Sequence, residues 1–235
     1  MSTPNFPPLM SGLAVESGIE PFEKACAMAA LGCDAGLIVH HVAANRLAAA
    51  LVMAPEVPLE QAMAMLPGCG VGFQNALGAI APPEVAVHLE WDGGLRINGA
   101  SCGKLRVAAG GDDPAQEPGW LVVGLELPLL QTGDRPGDTP GQTALYNEGC
   151  ADVDPTNLLE SWARHTLNWI TRWEDEGNRG LHAEWRGLAQ GIGEPIQHGG
   201  MSGTFMGVDE NFGMLIRADD TTHLIPLSTV LEHSR

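Results

Sequence analysis

Lys24 and Lys104 are the only lysines in the chain, so each is a candidate for chemistry that needs a mobile ammonium. Lys104 stands in "NGASCGKLRV", just after Gly103 and close to Trp91 across a tight hairpin. A lone cation there could hold a phosphate or carboxylate as a point charge, or it could be a strand residue with its ammonium in solvent. Lys24 lies in an amphipathic helical segment and reads as a solvated surface charge. Cys102 precedes Lys104 by two residues, and a strand of period two gives both the same face. The five cysteines are odd in number, scattered and without a C-x-x-C pair, so they point to buried thiols and not to a disulfide framework or zinc site. His40 and His41 are adjacent and fall on opposite faces of a strand, a poor chelate, and no bound metal is expected. There is no G-x-x-x-x-G-K-[ST] and no G-x-S-x-G, and "GCGVG" lacks the spacing of a dinucleotide fingerprint.

The elements that must position these residues begin after about twenty Pro/Gly/Ser-rich residues that read as an extended arm. "IEPFEKACAMAALGCDAG" predicts a helix with Pro21 in its first turn, followed by strands "GLIVHH" and "RLAAALVMAPE" with only Val42, Ala43, Ala44 and Asn45 between them. "VPLEQAMAMLPGCGVGFQNALGAIAPP" reads as a helix kinked or split at Pro67-Gly68, with Met53, Met63 and Met65 filling the core. "EVAVHLEWDGGLRINGASCGKLRVAA" gives three short strands, the last two joined at Asn98-Gly99. "GWLVVGLELPLL" is a central strand, and "QTGDRPGDTPGQTALYNEG" a long loop. "DPTNLLESWARHTLNWITRWEDEG" is the clearest helix, with Asp154 as N-cap, Pro155 at N1 and Gly177 beyond its end. Its Leu158, Trp162, His165, Trp169 and Trp173 share one face, read as core in preference to a stacking box. A second helix, "GLHAEWRGLAQ", sets His182 and Glu184 apart. From Gly199 the pattern changes to short strands joined by tight turns, "GTFMGV", "DENFG", "MLIRA", "DDTT" and "HLIPL"; three such strands in about thirty residues predict a small barrel, and the division is placed at residues 1–195 and 196–235.

The formal net charge is -17, from 29 acidic and 12 basic residues. So few cations cannot form the basic stripe that a phosphate backbone requires, which argues against a nucleic-acid partner and an anionic membrane surface. No apolar run approaches a membrane span, "MSTPNFPPLMSG" lacks the marks of a signal peptide, and a cytoplasmic location is expected.

The order of these elements resembles the biotin protein ligases, within the biotin/lipoate ligase and transferase group, from about Pro21 to Leu231. "WDGGLRING" has the frame of the family's W-P-N-D-[IL]-x-V-N-G. "WLVVGLELPL" is similar to the strand carrying V-G-I-G-I-N, with Gly124 in register, and "QTALYNEG" to its T-S-L-x-x-x-G loop. "GTFMGVDENFGMLIRADD" is similar to its C-terminal SH3-like domain. The resemblance implies an α+β fold: a mixed β-sheet with flanking helices plus a small C-terminal SH3-like β-barrel. It implies ATP and biotin or lipoate as ligands, a biotinyl or lipoyl carrier domain as partner, and it allows a homodimer. It places Trp91, Asn98, Gly99, Ser101 and Gly103 along the ligand pocket, with Gly124 on its floor. Lys104 is the candidate catalytic lysine, and Arg46 or Arg106 a further cation.

Acyl-adenylate chemistry in that family uses three features from which this chain departs. The Arg/Gly-rich loop that closes over the ligand is replaced by "VAAN". The lysine, asparagine and aspartate of K-W-P-N-D become Glu90, Gly93 and Gly94. The lysine of N-G-x-K falls on Ser101, and Lys104, three residues on, is turned to the other face of the strand unless a bulge intervenes. Glu126 and Pro128 further replace the second glycine and the asparagine of V-G-I-G-I-N. Three functions follow from this pattern: a divergent member that binds or transfers biotin, lipoate or a related acyl group; a noncatalytic module that binds a carrier domain or other protein; or another reaction on the same scaffold.

Overall fold

The computed structural model describes residues 3–131 and 141–232, so part of the long loop, residues 132–140, lies outside the described residues. Seven strands form one sheet in the order β1 (Ser11–Ala14), β2 (Leu37–Val42), β3 (Arg46–Met53), β7 (Leu121–Pro128), β6 (Ala100–Ala109), β5 (Gly94–Ile97) and β4 (Val87–Leu89). Only β1 and β2 pair in parallel; every other neighbour is antiparallel. The extended arm therefore contains an edge strand. Its side chains are mostly exposed, so no alternation of apolar residues announces it, and backbone pairing to β2 alone defines it.

Both faces of the sheet's centre are covered. Leu47, Ala49, Leu51 and Met53 of β3 face the main core, where they meet Val123, Leu125 and Leu127 of β7. Ala50 and Val52 face the opposite way with Val122 and Ala108. That second face is capped by α1 (Pro21–Ala30), whose Phe22, Ala25, Cys26 and Ala29 recur at i, i+3, i+4 and i+7. Alanines on β3 let this helix sit close.

The main core is closed by α2 (Leu59–Ala62), α3 (Met65–Gly78), α4 (Pro155–Glu176) and α5 (Asn178–Leu188). The interruption expected at Pro67-Gly68 falls earlier, at Met63-Ala64, and Pro67 sits in the first turn of α3, where a missing N–H costs no intrahelical bond. The glycines of "GCGVG" serve close packing. A Cβ on Gly72 would lie 2.6 Å from Thr166 Oγ1 and 3.1 Å from the Thr166 backbone. The tryptophans of α4 are core residues: Trp162 donates to the carbonyl of Cys69, and Trp169 to Asn75 Oδ1 at 2.8 Å. Asp154 caps α4 by accepting from Asn157 N at 2.9 Å, as its sequence predicts.

A separate four-stranded antiparallel sheet follows in the order β11 (Thr221–Ile225), β10 (Met214–Ala218), β9 (Met201–Val208), β8 (Pro195–His198), consistent with a small barrel-like domain. "DENFG" is one of the tight turns between these strands: Asp209 Oδ1 accepts from the backbone N–H of both Asn211 and Gly213. No helix among the described residues is long and apolar enough to cross a membrane.

Gly72→Ala tests the α3–α4 packing. Its gain in helix propensity is outweighed by overlap with backbone, and a net loss of about 1–2 kcal/mol is expected. Thermal denaturation reads this as a Tm lower by roughly 3–6 °C.

Candidate functional site

Strand register divides the α1 face of the sheet into a covered and an open half. Lys104 pairs with Glu126, Arg106 with Gly124 and Ala108 with Val122 across β6 and β7, while Arg46 pairs with Pro128 and Ala50 with Gly124 across β3 and β7. Directly opposed residues share a face, so Arg46, Lys104, Arg106, Gly124 and Glu126 all lie on this side. Beyond the first turn of α1 no element among the described residues covers the face, and it forms the floor of an open cleft of about 860 Å³. Asn45, Ser101, Gln142 and Thr143 wall one side, and His198, Thr229 and Glu232 approach from the C-terminal segment.

A bulge on β6 sets what this cleft contains. Gly94 opposes Lys104 and Arg96 opposes Ser101, so β6 spends three residues where β5 spends two. Gly103 absorbs the extra residue at φ +95, and a Cβ there would collide with the carbonyl oxygen of Glu126. The bulge returns Lys104 to the face of Ser101, and both line the cleft. It also overturns the shared face expected for Cys102 and Lys104: Cys102 points into the main core, fully buried, while Lys104 is exposed. Desolvation pushes the Cys102 thiol up to about 12, so this pair supplies no thiolate nucleophile. Burial likewise pushes Cys26 up to about 12 and raises Cys69, and Cys150 is also buried.

The arginines of the open face are each engaged by carboxylates. Arg46 makes a double contact with Glu20, donating from Nη1 to Oε1 at 3.0 Å and from Nη2 to Oε2, which lowers the Glu20 pKa. Arg96 Nε donates to Glu90 Oε1 at 2.6 Å. Arg106 serves three glutamates: Glu232 through Nε and Nη2, Glu126 through Nη1 at 3.0 Å and Glu23 through Nη2 at 3.0 Å. Its guanidinium carbon also lies 4.2 Å from the Phe22 ring centroid. Among the described residues, Lys104 has no carboxylate partner within salt-bridge reach.

Gly124 lies under Phe22, not under open space. A Cβ on Gly124 would meet the Phe22 ring at 2.6 Å, and Phe22 is only 5% exposed. The glycine admits an aromatic ring of the protein itself. Arg46, Ser101, Gly103 and Lys104 are thus brought together around the cleft, whereas Trp91, Asn98, Gly99 and Gly124 stand outside it. Trp91 is 7% exposed and donates from Nε1 to the carbonyl of Phe212 at 2.7 Å, pinning the second sheet to the first. The space around it amounts to about 10 Å³, room for one water at most. Asn98 holds the hairpin at φ +50, accepting from Ala86 N and donating to Glu148. The Gly99 carbonyl accepts from Arg96 Nη1 at 2.8 Å.

As the sequence predicts, no Arg/Gly-rich loop stands between β2 and β3. β2 and β3 are joined by residues 43–45, and Ala43 N donates to the Arg46 carbonyl at 2.8 Å to close a tight turn. A biotin/lipoate A/B protein ligase family model matches residues 6–187. The chain belongs to this family. A second model, for a domain of unknown function (DUF4444), matches residues 192–233. A crystal structure of a biotin protein ligase-like protein of unknown function from Silicibacter sp. TM1040 is 64% identical with a TM-score of 0.94, covering 98% of this chain and 100% of that one. Biotin protein ligase from Aquifex aeolicus in complex with biotin and ATP is 14% identical with a TM-score of 0.71, covering 92% of this chain and 95% of that one. Biotin protein ligase from Leishmania major in complex with biotinyl-5-AMP is 14% identical with a TM-score of 0.58, covering 93% and 99%. The latter two share the fold. No curated protein matches the chain.

Sequence reasoning missed Phe22 and Glu232. Phe22 looked like one apolar position on a helix, and Glu232 is 126 residues from the arginine it binds, beyond any local pattern.

Two measurements check this description. In native protein at pH 8, a maleimide should label Cys33, the one half-buried thiol, and leave Cys102 unmodified until denaturant is added; rapid native labelling of Cys102 would contradict its placement. Acid denaturation checks Glu232, whose carboxyl is held below its ordinary 4.5 chiefly by hydrogen bonds from Arg106. A carboxyl depressed on folding stabilises above its unfolded pKa and stops doing so as pH falls through the folded value. Glu232→Gln should therefore be less stable than the parent at pH 7, with the difference shrinking as pH drops below about 4.3.

Proposed function

We propose that this protein is a noncatalytic member of its family, a binding module that receives a carrier domain or similar protein surface at the open cleft and does not activate an acyl group with ATP. The observation that carries this reading is Phe22 seated on Gly124 under the Arg106 guanidinium. Resemblance to the family puts Gly124 among the residues of the pocket over the sheet, and here protein side chains occupy the space above it. An adenylate phosphate would also need free donors, yet Arg46, Arg96 and Arg106 are each engaged by glutamates. Glu90 and Glu126 add charge of the wrong sign for an anion. ATP and biotin or lipoate therefore do not fit the residues present at the family's position.

The cleft does suit a partner surface bearing basic groups, since Glu90, Asp92, Glu126 and Glu232 line it and it stands open to solvent. A second reading rests on one observation, the bulge that places Lys104 beside Ser101 in that cleft: transfer of an acyl group with Lys104 as its cation.

The test is incubation with ATP, biotin or lipoate and an apo carrier domain, followed by intact-mass measurement and by calorimetric titration of the carrier. The expected result is binding with no gain in carrier mass. A mass increase overturns the noncatalytic reading; if Lys104→Ala abolishes that increase, transfer through Lys104 is the function.

A further inference from the structure

We infer that the ring over Gly124 is latched in place by the C-terminal end of the chain, and that a basic group docking in the cleft would release it. The inference rests on the reading above in one respect, that the space over Gly124 is the family's ligand bed.

The latch is built from four segments. Phe22 belongs to the first turn of α1, Gly124 and Glu126 to β7, Arg106 to β6, and Glu232 to the segment after β11. Arg106 is directly opposite Gly124 in register, so its side chain rises beside the glycine and lays its guanidinium over the ring. Glu232 fixes the guanidinium in that pose, accepting from Nε through both carboxylate oxygens at 2.9 and 3.0 Å and from Nη2 as well. Its backbone is held too: Glu232 N donates to the Val107 carbonyl at 2.8 Å, on the edge of β6 that β5 no longer covers. The Arg106 side chain is 16% exposed, whereas that of Glu232 is 39% exposed and lines the cleft. Solvent and partners reach the latch through Glu232 first.

Phe22 and Glu232 are both bound to Arg106, so Glu232 governs Phe22 through a shared partner. Three carboxylates share one guanidinium, and a lysine or arginine entering the cleft would compete for Glu126 and Glu232. Losing them frees Arg106 to leave the ring, and Phe22 to leave Gly124. Docking in the cleft and opening of the bed are then linked and must favour one another equally in both directions.

Hydrogen exchange on the full chain tests this. Glu232→Gln should speed exchange of backbone amides in residues 20–26 by about tenfold more than it speeds exchange in α4, the factor that 1.4 kcal/mol of extra local protection lost produces. Unchanged exchange in residues 20–26 with α4 intact sinks the latch. Should Glu232→Gln fail to fold, Arg106→Lys, which keeps the charge and loses the two-pronged geometry, is read in the same way. A carrier mass increase with the unaltered protein, by contrast, would sink the noncatalytic reading and leave the latch to stand or fall on exchange alone.

Discussion

The Arg106 guanidinium is the point on which the open face of the sheet depends. Among the described residues it is the one side chain joined at once to the first helix, the central strands and the C-terminal segment, through Glu23, Glu126 and Glu232. A guanidinium has five N–H donors in a fixed plane, and such a plane orients everything bound to its rim. The neighbouring Phe22 ring takes its place from the same plane. Without this arginine three glutamates would lose their shared cation, and apolar packing alone would hold the start of α1 on the sheet.

Much of the architecture was legible because it rests on local rules. The α4 tryptophan face, its Asp154 cap, the Asn98-Gly99 turn and the apolar β7 run all follow from spacing a few residues long. The site was less legible because its decisive steps are either a single-residue defect or contacts between distant segments. Gly103 is the clearest case: one glycine at positive φ shifts the parity of β6, sending Cys102 into the core and Lys104 into the cleft. A strict period of two puts them together, and only a possible bulge, not its position, could be foreseen from "SCGK". Pro67 shows the same limit on a helix, since proline marks a helix start as readily as a break. The pairing of Arg106 with Glu232 left no trace in sequence, because either residue alone looks like an ordinary surface charge.

The residues that hold the family's fold and those that line the cleft are largely different sets in this chain. Hydrophobic alternation across β3, β7 and β6 maintains the sheet, and of those inward-facing residues Leu105 and Leu127 border the cleft while the rest stay in the core. The residues that changed are those on the outward face, where Glu90, Glu126 and Pro128 stand. Side chains there do not decide whether the sheet forms, so they were free to change sign. The inherited glycine at 124 illustrates the distinction: its lack of a side chain still matters, but now for an internal ring.

The turn at residues 43–45 carries a consequence of another kind. It is a hairpin tip between two strands whose pairing runs unbroken from Ile38–Leu51 to Val42–Leu47. Chain added at such a tip leaves that pairing intact and costs only loop-closure entropy, which grows by about 0.6 kcal/mol for each doubling of length. Gain or loss of a long segment at this position is therefore nearly neutral for folding. A lineage can shed or reacquire a cover here by a single insertion or deletion, independently of every residue beneath it.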